Sequence, residues 1–318
     1  MNQYSNICRK SFSLTSFQDG LVLDVLTIMP DSPKALLQLA HGMCEHKERY
    51  IPFMEYLARL GFGCIISDHR GHGKSVKDPE DLGYFYENGG PSLVKDLHQV
   101  TRFIRGEYPD LPFFLFGHSM GSLAVRVYLK HYEKELSGLI VCGSPSNNPL
   151  AGPGMALVRL LAGIRGERCR SRLINWLFSF SLEKPFQAEG RSHSWISSDK
   201  AVVKAYTASP YCNFTFTLNG YLALLWLLKN TYDKKGWKVK NPRLPILFLS
   251  GGNDPCMISK EKFEEAVTLL KDAGYQNVSS RIYPGLRHEI LNESKRQTVY
   301  EDAAEFLLSA LSSENGAP

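Results

Sequence analysis

The chain has 318 residues, 43% hydrophobic and 22% charged, so wholesale disorder is excluded and a large core is within reach. Net charge is +5, from 37 basic and 32 acidic residues. The excess is spread out rather than gathered into a dense stripe. No nucleic acid is implied, and occasional contact with an anionic lipid surface fits. At about 150 residues per domain the length suggests two units, or one large domain with an insertion.

The cysteines are Cys8, Cys44, Cys64, Cys142, Cys169, Cys212 and Cys256. Their odd number and lack of C-x-x-C spacing argue against a disulfide framework or a zinc site. Buried thiols in a reducing cytosol are expected instead. Residues 1–30 lack a basic segment followed by a long apolar block, and Asp19 and Asp24 interrupt them, so no signal peptide is read. The most apolar stretch, residues 218–228, is about half a membrane span and contains Asn219 and Gly220. No transmembrane helix and a cytoplasmic location are expected, with a peripheral membrane encounter left open.

In chain order, residues 21–29 and 35–40 read as strands parted by the turn Pro30-Asp31-Ser32-Pro33. Residues 50–60 show helical spacing through Phe53, Leu57 and Leu60, and Gly61 stops them. Residues 62–67 form the next strand. Residues 93–104 read as a helix, with Leu93, Leu97, Val100 and Ile104 on one face. A strand at 113–116, a helix at 119–132 and a strand at 139–142 follow. The rhythm then breaks. Residues of about 145–240 hold two helix-like basic stretches and several aromatics but no convincing strand. It returns with a strand at 246–250, a helix at 260–273, a strand at 279–283 and a closing helix at 294–311. This alternation implies βαβ units and a mostly parallel sheet with an antiparallel start. The organisation expected is a core of residues 1–144 and 241–318, interrupted by a helical insertion at 145–240.

Gly117-His118-Ser119-Met120-Gly121 matches G-x-S-x-G, with an apolar strand running in and a helix running out. That strand–turn–helix context projects the serine above the sheet edge. A serine hydroxyl is a weak nucleophile and needs a base. In this architecture the order is serine, acid, histidine. His288 hangs in the loop after strand 279–283 and is the candidate base; His131 and His193 fit worse. Asp254, in Gly251-Gly252-Asn253-Asp254-Pro255 after strand 246–250, is the candidate acid that orients it. The oxyanion needs two backbone N–H groups. One is that of Met120, after the nucleophile. The other is that of Met43, in His41-Gly42-Met43-Cys44-Glu45-His46. Asp68-His69-Arg70-Gly71-His72-Gly73-Lys74-Ser75 suits a turn network that holds these loops better than a metal site. No cofactor or metal is expected.

The motifs HGMCEHKERY, DHRGHGKS, GHSMG, GGNDP and YPGLRHEILNE occur in an order and spacing that resemble the monoacylglycerol lipase and bacterial lysophospholipase branch of the α/β-hydrolases. The resemblance covers residues of about 20–144 and 240–311. It implies an α/β-hydrolase fold, a mostly parallel central sheet flanked by helices, with the insertion as a helical cap over an acyl-chain tunnel. Ser119, Asp254 and His288 fall on the family's nucleophile, acid and base, and Met43 and Met120 on its oxyanion donors. Ser122 departs from the second glycine that many relatives carry. The implied activity is cleavage of single-chain lipid esters, monoacylglycerol or lysophospholipid, through an acyl-enzyme. Rivals are a short-chain esterase or thioesterase, and a non-catalytic binding protein of the same fold.

Between residues 151 and 178, Arg159, Arg165, Arg168, Arg170 and Arg172 accompany Leu157, Leu160, Leu161, Ile164, Leu173, Trp176, Leu177 and Phe178. A basic amphipathic element can lie on an anionic membrane. The simpler expectation is that its apolar side packs inward and its arginines stay in water. The run 221–228 is expected to line the tunnel.

Overall fold

The computed structural model of the protein describes residues 6–315. The strands are β1 (Ile7–Thr15), β2 (Val22–Pro30), β3 (Ala35–Ala40), β4 (Phe62–Ser67), β5 (Phe113–His118), β6 (Gly138–Cys142), β7 (Ile246–Gly251) and β8 (Val278–Tyr283). They form one sheet in the order β1-β2-β4-β3-β5-β6-β7-β8. β2 pairs antiparallel with both β1 and β4, and every pair from β4 to β8 is parallel. The helices are α1 (Ile51–Ala58), α2 (Gly89–Glu107), α3 (Met120–Tyr132), α4 (Ala151–Arg165), α5 (Arg172–Glu183), α6 (Lys200–Ala208), α7 (Leu218–Tyr232), α8 (Lys260–Ala273) and α9 (Arg296–Asn315).

The inner strands are apolar on both faces because helices cover both. Along β5 the side chains alternate. Phe114 and Phe116 join the core under α1 and α9, while Phe113 and Leu115 join the core under α2, α3 and α8. The parallel pairing leaves the C-terminal ends of β3, β5, β7 and β8 along one edge, where ligands bind in open α/β sheets.

The sequence reading missed β1. Its residues 8–11 are all exposed, and Ile7, Phe12 and Leu14 pack only partly against the core. An edge strand of this kind carries a faint apolar signal.

Between β6 and β7 lie α4 to α7, and no strand occurs there among the described residues. Thr217 caps α7 by accepting from Gly220 N, and α7 packs against α2, α3 and α4. The inward-packing expectation for the arginine-rich segment needs correction. Of the apolar residues singled out, Leu157, Leu161 and Phe178 pack partly against the core, and Met155, Val158 and Ile174 are buried beside them. Leu173, Trp176, Leu177 and Phe180, however, are 52%, 54%, 46% and 41% exposed. They recur at i, i+3, i+4 and i+7, so they form one stripe on α5 that no part of the described chain covers. Leu160 and Ile164 of α4 are exposed as well. The five arginines are exposed, as expected, and two of them also make specific contacts. Arg168 pairs with Asp81 and stacks over Tyr84, and Arg170 donates to the carbonyls of Glu80, Leu82 and Thr215. These contacts tie the link between α4 and α5 to residues 80–84.

The turn from β5 into α3 depends on close backbone approach. A Cβ at Gly121 would overlap the carbonyl oxygens of Ala40 and His41 at the end of β3. Gly121→Ala is therefore expected to lose about 3 kcal/mol or more, read as a lowered Tm. Gly106→Ala, with open space at its Cβ, is expected to leave Tm unchanged or slightly raised.

Candidate active site

β5 ends at His118, and Ser119 caps α3 with φ +53 and ψ −119. The following turn is held by the Ser119 N–H, which donates to Cys142 O at 2.9 Å, and by Ser122 N and Oγ, which donate to Ser119 O at 2.9 and 2.6 Å. Ser122 thus ties the elbow back on itself. The Met120 N–H opens α3, where a helix presents unsatisfied donors and a positive dipole end. The Met43 N–H lies on the facing loop after β3. Met43 and Met120 line one cavity with Ser119 and His288, and neither N–H donates to a described residue.

β7 delivers Asp254 and β8 delivers His288. The Asp254 carboxylate accepts from Cys256 N at 2.8 Å, which fixes it on the turn. Both its oxygens lie 2.9 Å from His288 Nδ1. A carboxylate only accepts, so Nδ1 carries the proton and Nε2 is left as a bare acceptor toward the cavity. The structure thus joins Asp254 to His288. It places Ser119 in the same cavity without a hydrogen bond between Ser119 Oγ and the ring. Such bonds commonly tighten only when substrate is present. The nearest side chain to Nε2 with a recorded contact is Cys256, with Sγ at 4.0 Å. Burial, then the neighbouring Asp254, pushes the Cys256 thiol well above its usual range. Asp254, Cys256 and His288 are close enough to hold an ion. The carboxylate, however, is already engaged by His288 Nδ1 and Cys256 N.

Sequence reading named these five residues but assigned nothing to the polar cluster beside them. Glu45, fully buried, accepts from Gly42 N at 2.5 Å, Tyr50 OH at 2.9 Å and Arg49 Nη1 at 3.0 Å. Arg49 also forks onto Glu289, with two contacts of 2.6 Å. Burial alone would raise the Glu45 carboxyl. The His118 hydrogen bond and charge, with Arg49, outweigh it and hold the carboxyl well below the usual range. A Cβ at Gly42 would come within 2.7 Å of Glu45 Oε1 and 3.0 Å of Ser119 Cβ, so the loop needs glycine there. His46, Glu45 and Arg49 stand in the HGMCEHKERY motif, and that was the available signal.

The DHRGHGKS segment holds loops, as expected. Asp68 accepts from Lys47 N, Lys74 N and Lys47 Nζ, and Arg70 is buried against Asp19 and Asp96. His69 N donates to His41 Nε2 at 2.9 Å, and His69 Nε2 donates to His41 O at 3.0 Å.

The cavity has a volume of about 690 Å³, a size that accommodates a drug-sized or single-chain ligand. Phe178, Leu182, Tyr221, Leu224, Leu225 and Leu228 supply its apolar wall. The run 221–228 thus lines it, as expected. Trp195 lies against the His288 ring at 5.0 Å.

A mostly parallel sheet with a G-x-S-x-G elbow at the end of β5 is the α/β-hydrolase fold. The chain belongs to the family described as Serine aminopeptidase, S33 (Hydrolase_4), whose sequence model matches residues 31–295. It is similar to a monoacylglycerol lipase of Mycolicibacterium smegmatis, 27% identical over 92% of this chain and 94% of that one. It is also similar to a monoglyceride lipase of Rattus norvegicus, 28% identical over 82% and 78%. Among solved structures, a thermostable carboxyl esterase from Bacillus coagulans in complex with glycerol superposes with TM-score 0.89, at 26% identity, over 96% of this chain and 99% of that one. The resemblance read from the motifs is borne out, and the protein is a hydrolase. No described helix is long and apolar enough to cross a membrane.

The histidines beneath the loop after β3 make stability pH-dependent. Burial lowers His69 to about 4 and His72 to about 3. The folded state therefore binds fewer protons than the unfolded state, whose histidines titrate near 6.5. Stability is full above about pH 6.5 and falls as pH drops toward 4, by up to about 1.4 kcal/mol per pH unit for each group. In urea denaturation series, His72→Phe is expected to flatten that slope.

Proposed function

We propose that this protein cleaves carboxylic esters of single-chain lipids, monoacylglycerols or lysophospholipids, through a Ser119 acyl-enzyme. The observation that carries the proposal is the Asp254–His288 pair, with its bare Nε2 in the cavity that Ser119 lines. His288 Nε2 removes the Ser119 proton as Oγ attacks the ester carbonyl. The Met43 and Met120 N–H groups take the negative charge of the tetrahedral oxygen. His288 then protonates the departing alcohol. Water, deprotonated by His288, releases the fatty acid. Residues 145–240 act as a cap on a core of residues 1–144 and 241–318, and the apolar wall from α5 and α7 takes the acyl chain. Relatives named as monoacylglycerol lipases support this substrate class.

An aminopeptidase reading has the family's description behind it. An α-amine would need an unengaged carboxylate in the cavity. Of the acids lining it, Glu45 and Glu289 are paired with Arg49, and Glu183 accepts from His193 N. Ester cleavage fits better.

The α5 stripe also bears on function. One face of α5 offers Phe178 and Leu182 to the cavity, and the other leaves Trp176 and Phe180 in solvent. With Arg159, Arg165 and Arg172 nearby in sequence, this outer face suits an anionic lipid surface, from which a lipid ester would enter. The seven cysteines are all unpaired, which fits a reducing, cytoplasmic setting.

Ser119→Ala is expected to lower kcat by about 10⁴-fold or more against a matched monoacylglycerol. Across an acyl-chain series, kcat/KM should rise with length. Fast turnover confined to short esters would refute the lipid assignment and leave a general esterase. In vesicle sedimentation, the protein should bind anionic vesicles at low salt and release them at high salt. The double variant Trp176→Ser, Phe180→Ser should bind weakly. No binding at low salt would remove the membrane role.

A further inference from the structure

One titratable group in the site has no role in the mechanism above. His118 precedes the nucleophile and is buried. Its Nδ1 lies 3.1 Å from Glu45 Oε1, and its Nε2 lies 3.3 Å from the carbonyl oxygen of His288. A carboxylate and a carbonyl oxygen are both acceptors and can donate nothing. A neutral imidazole has one N–H and would leave one of these contacts as two lone pairs face to face. Only the doubly protonated ring satisfies both.

We propose that His118 is a positioning residue held as an imidazolium, whose two N–H groups tie the oxyanion loop to the loop of the catalytic base. The inference rests on the Ser119–His288 reading for its functional meaning and on geometry for the proton. One end of the ring meets Glu45, which also holds the N–H of Gly42 and so sets the His41–Gly42 peptide, one residue before the Met43 N–H. The other end holds the backbone of His288 itself. Because His118 is joined to Ser119 through the chain, one buried proton links nucleophile, oxyanion donor and base.

The surroundings agree. Facing the ring are Glu45 and Tyr50 from the segment after β3, His288 at 4.8 Å between ring centroids, and Gly143 at the end of β6. Arg49 and Glu289 complete the cluster. With His118 charged, two cations balance two carboxylates. With His118 neutral, the cluster would carry an uncompensated buried negative charge, which is costly. Burial opposes the charge on His118, but the hydrogen bond and charge of Glu45, with Glu289, more than offset it and raise its pKa.

The test is long-range nitrogen–proton correlation on the full chain with labelled histidine, at about pH 8, above the ordinary histidine pKa of about 6.5. His118→Asn identifies the signal by its disappearance. The expected result is two protonated nitrogens on His118. A ring with one bare nitrogen at that pH overturns the proposal. In Glu45→Gln, which removes the counter-charge, the ring should become neutral at the same pH; a ring still charged there would show that Glu45 does not hold the proton. His118→Asn should lower kcat by about ten- to a hundredfold with little change in KM, since sub-ångström misplacement of reacting groups acts on turnover. An unchanged kcat overturns the positioning role. Fluorophosphonate labelling of the wild type separates failures: unlabelled Ser119 would sink the hydrolytic reading while the ring's charge stood on its own measurement.

Discussion

A serine held at φ +53 is the constraint on which the site depends. That backbone conformation costs a side-chain-bearing residue about 1–3 kcal/mol, and it persists only where the surroundings over-determine it. Here they do. Gly121 lets α3 sit against the end of β3 with no Cβ between them, and Ser122 hydrogen-bonds back onto Ser119 O. The close approach that forces the turn also brings the N-terminus of α3 beside the Gly42–Met43 loop. Strain at one residue and the placement of the proposed oxyanion donors therefore have a single cause.

Around that turn the polar groups are placed by buried charges rather than by surface loops. Glu45 takes donors from Gly42, Tyr50, Arg49 and His118, all within 3.1 Å. Such a carboxylate is expensive to bury and is tolerated because four donors, Arg49 among them, meet it. Its partners span residues 42 to 118, and Arg49 carries the network on to Glu289. The donors are thus set before substrate arrives, which makes electrostatic stabilisation effective. The α4–α7 segment is fastened to this frame at several points. His288 N and Glu289 N donate to Trp195 O and Ile196 O, and Arg287 reaches Ser194 O and Glu189. Displacement of this segment would be felt at the base.

Much of this was legible in the sequence, for identifiable reasons. The inner strands are continuous apolar runs because both faces are covered, so their boundaries read well. The elbow and the Asn-Asp-Pro turn are local, and their chemistry travels with their spacing. Three features were not legible. β1 is an edge strand with residues 8–11 exposed, so no period stands out. The apolar residues of α5 gave the right helix but not the right side, because periodicity defines a face and cannot say what covers it. The Glu45–His118–Arg49–Glu289 cluster joins residues up to 240 positions apart. Glu45 and His118 were visible within their motifs, but their meeting is a property of the β3–β5 neighbourhood alone.

The measurement that bears most directly on the central claim is peptide mapping after reaction with a long-chain alkyl fluorophosphonate. The phosphorus of such a reagent is attacked by an activated serine, and its chain needs the apolar wall of α5 and α7. The account predicts one adduct per chain, carried by Ser119, and none on Ser119→Ala. An adduct on another residue, or an unmodified protein that remains folded, would contradict it.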